Sequence, residues 1–282
     1  MKKVLELIRF PNLVIIALCQ VLVQVCLLQP DVPVRQILAT ERFYLLLLAT
    51  FSVAAAGYII NDYYDIKIDA INKPRRQVVG IAVNRRQAMM AHLLLSGIGV
   101  LVGLSLGWRV GLINIGATLL LWGYSARLKS YFLVGNLIIA LLSAVMVLVV
   151  PVHYGSGNTA VWAYAVFSSL ISLVREIIKD MEDVKGDASF DRRTLPIVLG
   201  IPAAKGIVYG ILAAFFATIL LAMVYRAHDV FFSLYMVGLV LLPGIMILNG
   251  LRKADRKRDF SRLSRWCKGL MLMGILSMLL FR

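Results

Sequence analysis

Nine of the fifteen acidic side chains in this 282-residue chain fall in two short segments. Asp62, Asp65 and Asp69 lie in the first; Glu176, Asp180, Glu182, Asp183, Asp187 and Asp191 lie in the second. Residues 61–69 read NDYYDIKID and residues 179–187 read KDMEDVKGD, sharing D-x-x-D-x-K-x-D with Lys67 matching Lys185. A basic pair follows each at nearly the same distance, Arg75-Arg76 and Arg192-Arg193. Residues four apart share a helix face, so Asn61, Asp65 and Asp69 are expected along one stripe, with Asp183 and Asp187 along its counterpart. Asp62 and Asp180, three residues before the central aspartates, can join the same cluster. Carboxylates aimed at one point repel each other unless a cation neutralises them. Ligation by oxygen alone, without His or Cys, selects a hard cation such as Mg²⁺. Magnesium takes a few carboxylates together with phosphate oxygens. The pattern therefore predicts a metal site that receives a phosphate-bearing substrate. Lys67, Arg75, Arg76, Arg127, Lys129, Arg192 and Arg193 are available for the outer phosphate oxygens.

A single D-x-x-D at a helix end is commonly a solvated or capping cluster. Two matching copies at equivalent positions argue against that reading and suggest an internal duplication whose halves face each other. Acidic residues also serve ion pathways in cation-coupled transporters, but there they are expected near mid-membrane on broken helices. Here they sit at helix ends, which favours an interfacial enzyme.

The elements that carry these segments are read from apolar runs. The composition is 60% hydrophobic and the mean hydropathy is +0.84, more apolar than a soluble domain of this length. Nine runs, at about 12–29, 41–60, 87–107, 110–125, 133–152, 160–178, 203–225, 229–250 and 266–281, approach the roughly 20 residues a spanning helix needs. Their length excludes barrel strands, which need about 10 alternating residues. The first run has the length of the others and no small-x-small site after it, so it is read as a retained span rather than a signal peptide. The expected fold is an all-α membrane protein, one transmembrane domain over residues 1–282 with two acidic-motif halves.

The net charge of +15 is distributed as a membrane protein distributes it, and no nucleic-acid partner is expected. The N-terminus and the loops 61–86, 126–132, 179–202 and 251–265 carry 22 of the 30 Lys and Arg residues, and Lys205 and Lys268 at the adjoining helix starts bring this to 24. Positive charge stays cytoplasmic, which places the N-terminus and both acidic segments inside and the C-terminus outside. Arg252-Lys253 and Arg256-Lys257-Arg258 suit lipid headgroups or a simple topology anchor. Cys19, Cys26 and Cys267 are read as small apolar side chains; His92, His153 and His228 form no ligand pattern. Gly97, Gly99, Gly103 and Gly107 are read as a close helix-packing surface.

These motifs resemble the UbiA superfamily of intramembrane prenyltransferases over essentially the whole chain. The resemblance is carried by Asn61-Asp62-x-x-Asp65-x-x-x-Asp69, by Asp180-x-x-Asp183-x-x-x-Asp187 and by Tyr124-Ser-Ala-Arg-Leu-Lys129. It implies nine helices around a lipid-open cavity, capped by the two acidic loops. Two Mg²⁺ ions would bridge the aspartates and the diphosphate of a polyprenyl donor. The implied ligands are Asn61, Asp65, Asp183 and Asp187, with Asp62, Asp69 and Asp180 behind them. Lys67, Arg76, Tyr124 and Lys129 would grip the diphosphate, and a lipid or aromatic acceptor would take the prenyl group. The run D-M-E-D-V-K-G-D followed by R-T-L-P-I-V-L-G at 193–200, with Gly135-Asn136, is similar to the branch that alkylates geranylgeranylglyceryl phosphate. Quinone-type aromatic prenyltransferases share much of this pattern and are the alternative. One departure stands out: Asn72-Lys73-Pro74-Arg75-Arg76-Gln77 lacks the second proline of the family's Asn-Lys-Pro-x-Arg-Pro, which leaves Arg75 and Arg76 as alternatives. A CDP-alcohol phosphotransferase would concentrate its acids in one run opened by Asp-Gly, which this chain lacks.

Overall fold

The computed structural model describes residues 2–72, 74 and 77–282, so Arg75 and Arg76 lie outside the described residues. Among the described residues every long element is a helix, each grown from one of the apolar runs. They are α1 (Phe10–Leu28), α2 (Glu41–Tyr64), α3 (Arg85–Leu106), α4 (Trp108–Ala126), α5 (Val134–Tyr154), α6 (Thr159–Ala188), α7 (Leu195–Tyr225), α8 (Val230–Lys253) and α9 (Lys257–Phe281). Eight have both the length and the hydropathy to cross a bilayer. The exception is α4, whose 19 residues would reach roughly 28 Å but whose apolar run is diluted by Arg109 and Asn114.

Local chemistry sets the ends. Asn84 caps α3 by accepting from the backbone of Gln87 at 2.8 Å while Gln87 returns a bond to Asn84, a reciprocal capping box. Asn158 caps α6 through Val161 at 3.0 Å. Between α3 and α4 the chain reverses at Gly107, whose φ of 146° strongly favours a residue without Cβ. A second break explains why α7 begins before its apolar run. A helical turn starts at Leu195, Gly200 interrupts it at φ 81°, and Pro202 then sits in the first turn of the span, where its missing N–H is harmless.

Two large clusters form most of the core, with a smaller third around Leu7, Ile59 and Val79. One joins α6, α7, α8 and α9 through Phe167, Ile171, Phe215, Val240 and Phe260. The other joins α1, α5 and the start of α6 through Val23, Val147, Val150 and Val161. The small residues of α3 act as expected at two positions. A Cβ on Gly99 would lie 2.6 Å from the Val53 side chain and one on Gly103 would lie 2.5 Å from Asn114. Gly97 instead faces open space. The cysteines are buried and unbridged.

The two acidic segments do not adopt the same conformation. In the second, α6 runs unbroken from the membrane through Asp187, so Asp183 and Asp187 share a helix face as expected. In the first, α2 ends at Tyr64, Asp65 leaves the helix at φ −90° and ψ 5°, and a short helix resumes over Ile66–Asn72. The expected continuous stripe through Asn61, Asp65 and Asp69 is therefore broken at its middle residue.

Candidate active site at the end of an apolar cavity

The break at Asp65 turns its carboxylate toward cations from two other parts of the chain. Lys129, just beyond α4, places Nζ 2.7 Å from Asp65 Oδ2 and donates to Asn61 Oδ1 at 3.0 Å. Arg192, in the loop after α6, donates from Nη2 to Asp65 Oδ1 at 2.5 Å and from Nη1 to Asp187 Oδ1 at 3.1 Å. One guanidinium thus joins the two acidic segments. Asp65, Lys129 and Asp187 are all buried.

Burial opposes ionisation of Asp65, but Lys129 and Arg192 outweigh it and hold the carboxyl below its usual range. Burial also pulls the Lys129 ammonium down to about 8; Asp65 resists this and Arg192 adds to it. The two partners thus move in the same direction. Both follow from geometry: Asp65 has two cations to satisfy it, whereas Lys129 shares its carboxylate with a second, permanent cation.

The remaining expected residues divide. Tyr124 lies beside this centre, its ring centroid 5.7 Å from Lys129 Nζ. Asp180 accepts from Asn136 Nδ2 at 2.8 Å, and Asp183 is buried on α6. Asp62 points elsewhere, paired with Arg9 at 3.0 Å. Asp69 is half-buried on the short helix. Lys67 and Arg127 are exposed, and Arg127 lies 5.7 Å from the ring of Tyr131 rather than at the carboxylates. Among the described residues no three His, Cys, Asp or Glu side chains close on one metal position. Lys129 and Arg192 stand between the carboxylates instead. The oxygen-only set still suits a hard cation, and a protein cation already bridges the two segments where such an ion would act.

Sequence reasoning missed the residue that docks the first segment on the second. Asn72 donates to the carbonyl of Asp183 at 3.3 Å, accepts from Gly186 N–H at 3.2 Å and offers its own carbonyl to Lys257 at 2.8 Å. Its signal was its place at the head of the Asn-Lys-Pro run, which gave it no role. Gly186 is necessary to this contact, since a Cβ there would lie 2.4 Å from Asn72 Nδ2. Gly135 plays a similar part: a Cβ would lie 2.7 Å from Lys129 Cα and 3.2 Å from the Tyr124 ring.

A cavity continues from this centre into the bundle between α1, α2, α4, α5, α6 and α9. Asn61 and Tyr124 line its polar end, and Ile15, Met146, Phe167 and Ile171 line its apolar length. The arrangement can hold an anionic head among cations and carboxylates while an apolar tail lies in the cavity.

Residues 32–273 match the UbiA prenyltransferase family. The digeranylgeranylglyceryl phosphate synthase of Pyrococcus horikoshii is 36% identical over 160 residues, 57% of each chain. That alignment spans little more than half of either protein. The corresponding synthase of Methanothermobacter thermautotrophicus is 35% identical over 243 residues, 82% of this chain and 83% of that one. Among solved structures, a digeranylgeranylglyceryl phosphate synthase superposes with a TM-score of 0.73 at 24% identity, covering 99% of this chain and 97% of that one. A UbiA homologue from Archaeoglobus fulgidus, bound to DMAPP and Mg²⁺, superposes with a TM-score of 0.67 at 16% identity over 98% and 99% of the two chains. This chain is an integral membrane protein that belongs to the UbiA prenyltransferase family.

Proposed function

We propose that this protein transfers a geranylgeranyl group from its diphosphate to the free hydroxyl of geranylgeranylglyceryl phosphate, forming the ether bond and releasing diphosphate and the hydroxyl proton. The observation that carries the reading is the meeting of Asn61, Asp65, Lys129, Asp187 and Arg192 at the polar end of an apolar cavity. The acceptor follows from two relatives above one-third identity that bear the synthase name.

Asn61, Asp65, Asp183 and Asp187 would hold Mg²⁺, two ions in the family pattern, with Asp62, Asp69 and Asp180 supporting them. Bound there, magnesium would neutralise charge that develops on the departing diphosphate. Lys129 and Arg192 are placed to turn from the carboxylates to outer phosphate oxygens, since both already sit between the two segments. Lys67 on the short helix and Arg127 after α4 are exposed and would reach the diphosphate only by moving inward, and Arg75 and Arg76 are kept as candidates from the sequence motif. Tyr124 stands at the polar end, where its ring can face the allylic carbon. The apolar walls keep water from the electron-poor carbon until the acceptor oxygen attacks. The whole chain acts as a single domain, with the N-terminus and both acidic segments on the cytoplasmic side by the distribution of Lys and Arg.

The test incubates purified protein with geranylgeranyl diphosphate, Mg²⁺ and a panel of acceptors, with products identified by mass spectrometry. The panel holds geranylgeranylglyceryl phosphate, 4-hydroxybenzoate, 1,4-dihydroxy-2-naphthoate and homogentisate. Product with the glyceryl phosphate alone, absent with EDTA, is the expected result. Product with an aromatic acceptor alone would move the protein to the quinone-type branch.

A further inference from the structure

The cavity carries a second group of charges that the diphosphate centre does not use. Arg175 and Lys179 lie one turn apart on α6, Lys268 lies on α9 and Arg9 precedes α1; all four line the cavity. Glu176 is the one carboxylate among the lining residues, so the lining holds a formal net charge of three positive, of which Asp62 outside the lining offsets the share on Arg9. Several of these groups are fixed. Arg9 pairs with Asp62 at 3.0 Å and lies 4.9 Å from the Tyr58 ring centroid. Lys268 Nζ donates to Asn12 Oδ1 at 3.1 Å. Arg175 Nη1 donates to Glu176 Oε1 at 2.5 Å, while Arg175 Nε is buried with no hydrogen-bond partner among the described residues. Arg175, Arg9 and Lys179 all act on Lys268 with like charge, and Glu176 acts on it with opposite charge.

Like charges gathered in an apolar cavity repel strongly, and a buried N–H without an acceptor is destabilising. An anion bound among them removes both penalties. Its position follows from α6. Arg175 and Lys179 precede Asp183 by eight and four residues, which places them about 12 and 6 Å from it along the axis. The second group therefore sits one to two turns beyond the acidic centre, within the same cavity.

We infer that Arg175, Lys268, Arg9 and Lys179 form a second anion site, which holds the phosphate monoester of the lipid acceptor while its hydroxyl faces the donor's allylic carbon. A monoester carries roughly one and a half to two negative charges at neutral pH, which suits the net charge of the lining. The inference rests on the glyceryl phosphate reading proposed above, and it explains how the cavity would separate two anionic substrates. The acidic centre takes the one that brings metal, and the basic group takes the one that does not.

The experiment compares geranylgeranylglyceryl phosphate with its phosphate-free alcohol, using geranylgeranyl diphosphate and Mg²⁺, in wild type, Lys268→Met, Arg175→Gln and Lys268→Arg. Wild type is expected to show a KM for the phosphate lower than for the alcohol by about 10- to 100-fold, the range of a hydrogen bond to a charged group. Lys268→Met and Arg175→Gln should erase most of that difference while leaving the KM for the donor unchanged. Lys268→Arg should retain it. A parallel rise in donor KM would assign the cations to the diphosphate and overturn the inference. So would variants that still distinguish the two acceptors as wild type does. Mg²⁺-dependent donor binding reports that each variant is folded; if it is lost, the wild-type comparison decides, and equal KM values for the two acceptors refute the site. Failure of the underlying reading looks different: wild type would then make product with an aromatic acceptor and with neither glyceryl lipid.

Discussion

Arg192 donates to Asp65 at 2.5 Å across 127 residues of sequence, and its other terminal nitrogen holds Asp187. The guanidinium supplies positive charge to carboxylates from both halves. Asp65→Asn removes the shared partner of Lys129 and Arg192 and the central ligand proposed for Mg²⁺. Prenyl transfer should fall by at least roughly 100- to 1,000-fold, the scale of losing a transition-state charge interaction. Mg²⁺-dependent donor binding, measured by calorimetry, should be lost with it. EDTA should reproduce the effect in wild type. Substantial activity in the variant would remove Asp65 from the centre.

Lys129 offers a test by pH in the metal-free protein. Burial brings its ammonium down to about 8 from an ordinary 10.5. Between those values the unfolded chain holds a proton that the folded protein has lost, so this group's contribution to stability rises with pH across that window. Lys129→Gln removes the contribution. Its melting temperature should therefore rise less, or fall more, from pH 8 to 10.5 than that of wild type. Equal slopes would mean that Lys129 keeps its proton in the fold.

Asn72 and Gly186 act as one contact between the acidic segments. Asn72→Ala gives up two hydrogen bonds to α6, and Gly186→Ala drives a methyl group into the same side chain. Each should lower stability by about 1–3 kcal/mol. The double variant should be little worse than either single one, because both remove the same contact. Thermal denaturation of the three variants in one detergent measures the coupling, and additive losses would show that the contact is not shared.

Gly135 lets α5 approach the corner that presents Lys129 and Tyr124. Gly135→Ala should displace that corner by a few tenths of an ångström or more and cut kcat by about tenfold, as small misplacements of binding groups do. The control is Gly210→Ala, where an added Cβ meets nothing within 4 Å and stability should change by less than about 0.5 kcal/mol. If both variants behave alike, the close approach at Gly135 has no functional weight.

The residues that were legible in the sequence are those whose meaning is periodic or repeated. Apolar runs announced the helices because backbone satisfaction in lipid leaves few other choices. Two copies of D-x-x-D-x-K-x-D announced a paired acidic centre, and Tyr124 and Lys129 were found beside it. Periodicity assumed that both copies would be helical throughout, and Asp65 broke that assumption in the first. Lys67 and Arg127 were singled out by proximity in sequence, yet the fold leaves both exposed.

The sequence by itself determined a helical membrane protein with two matched acidic segments, because composition and repeat spacing are local properties of the chain. Tertiary structure alone decided which cations face which carboxylates. Arg192 bridges Asp65 and Asp187; Asn72 joins the segments by side-chain bonds to the α6 backbone; and Arg175, Lys268 and Arg9 line one cavity. Each of these depends on how separate helices pack, since charges distant in sequence interact only where packing brings them within a few ångströms in a low dielectric.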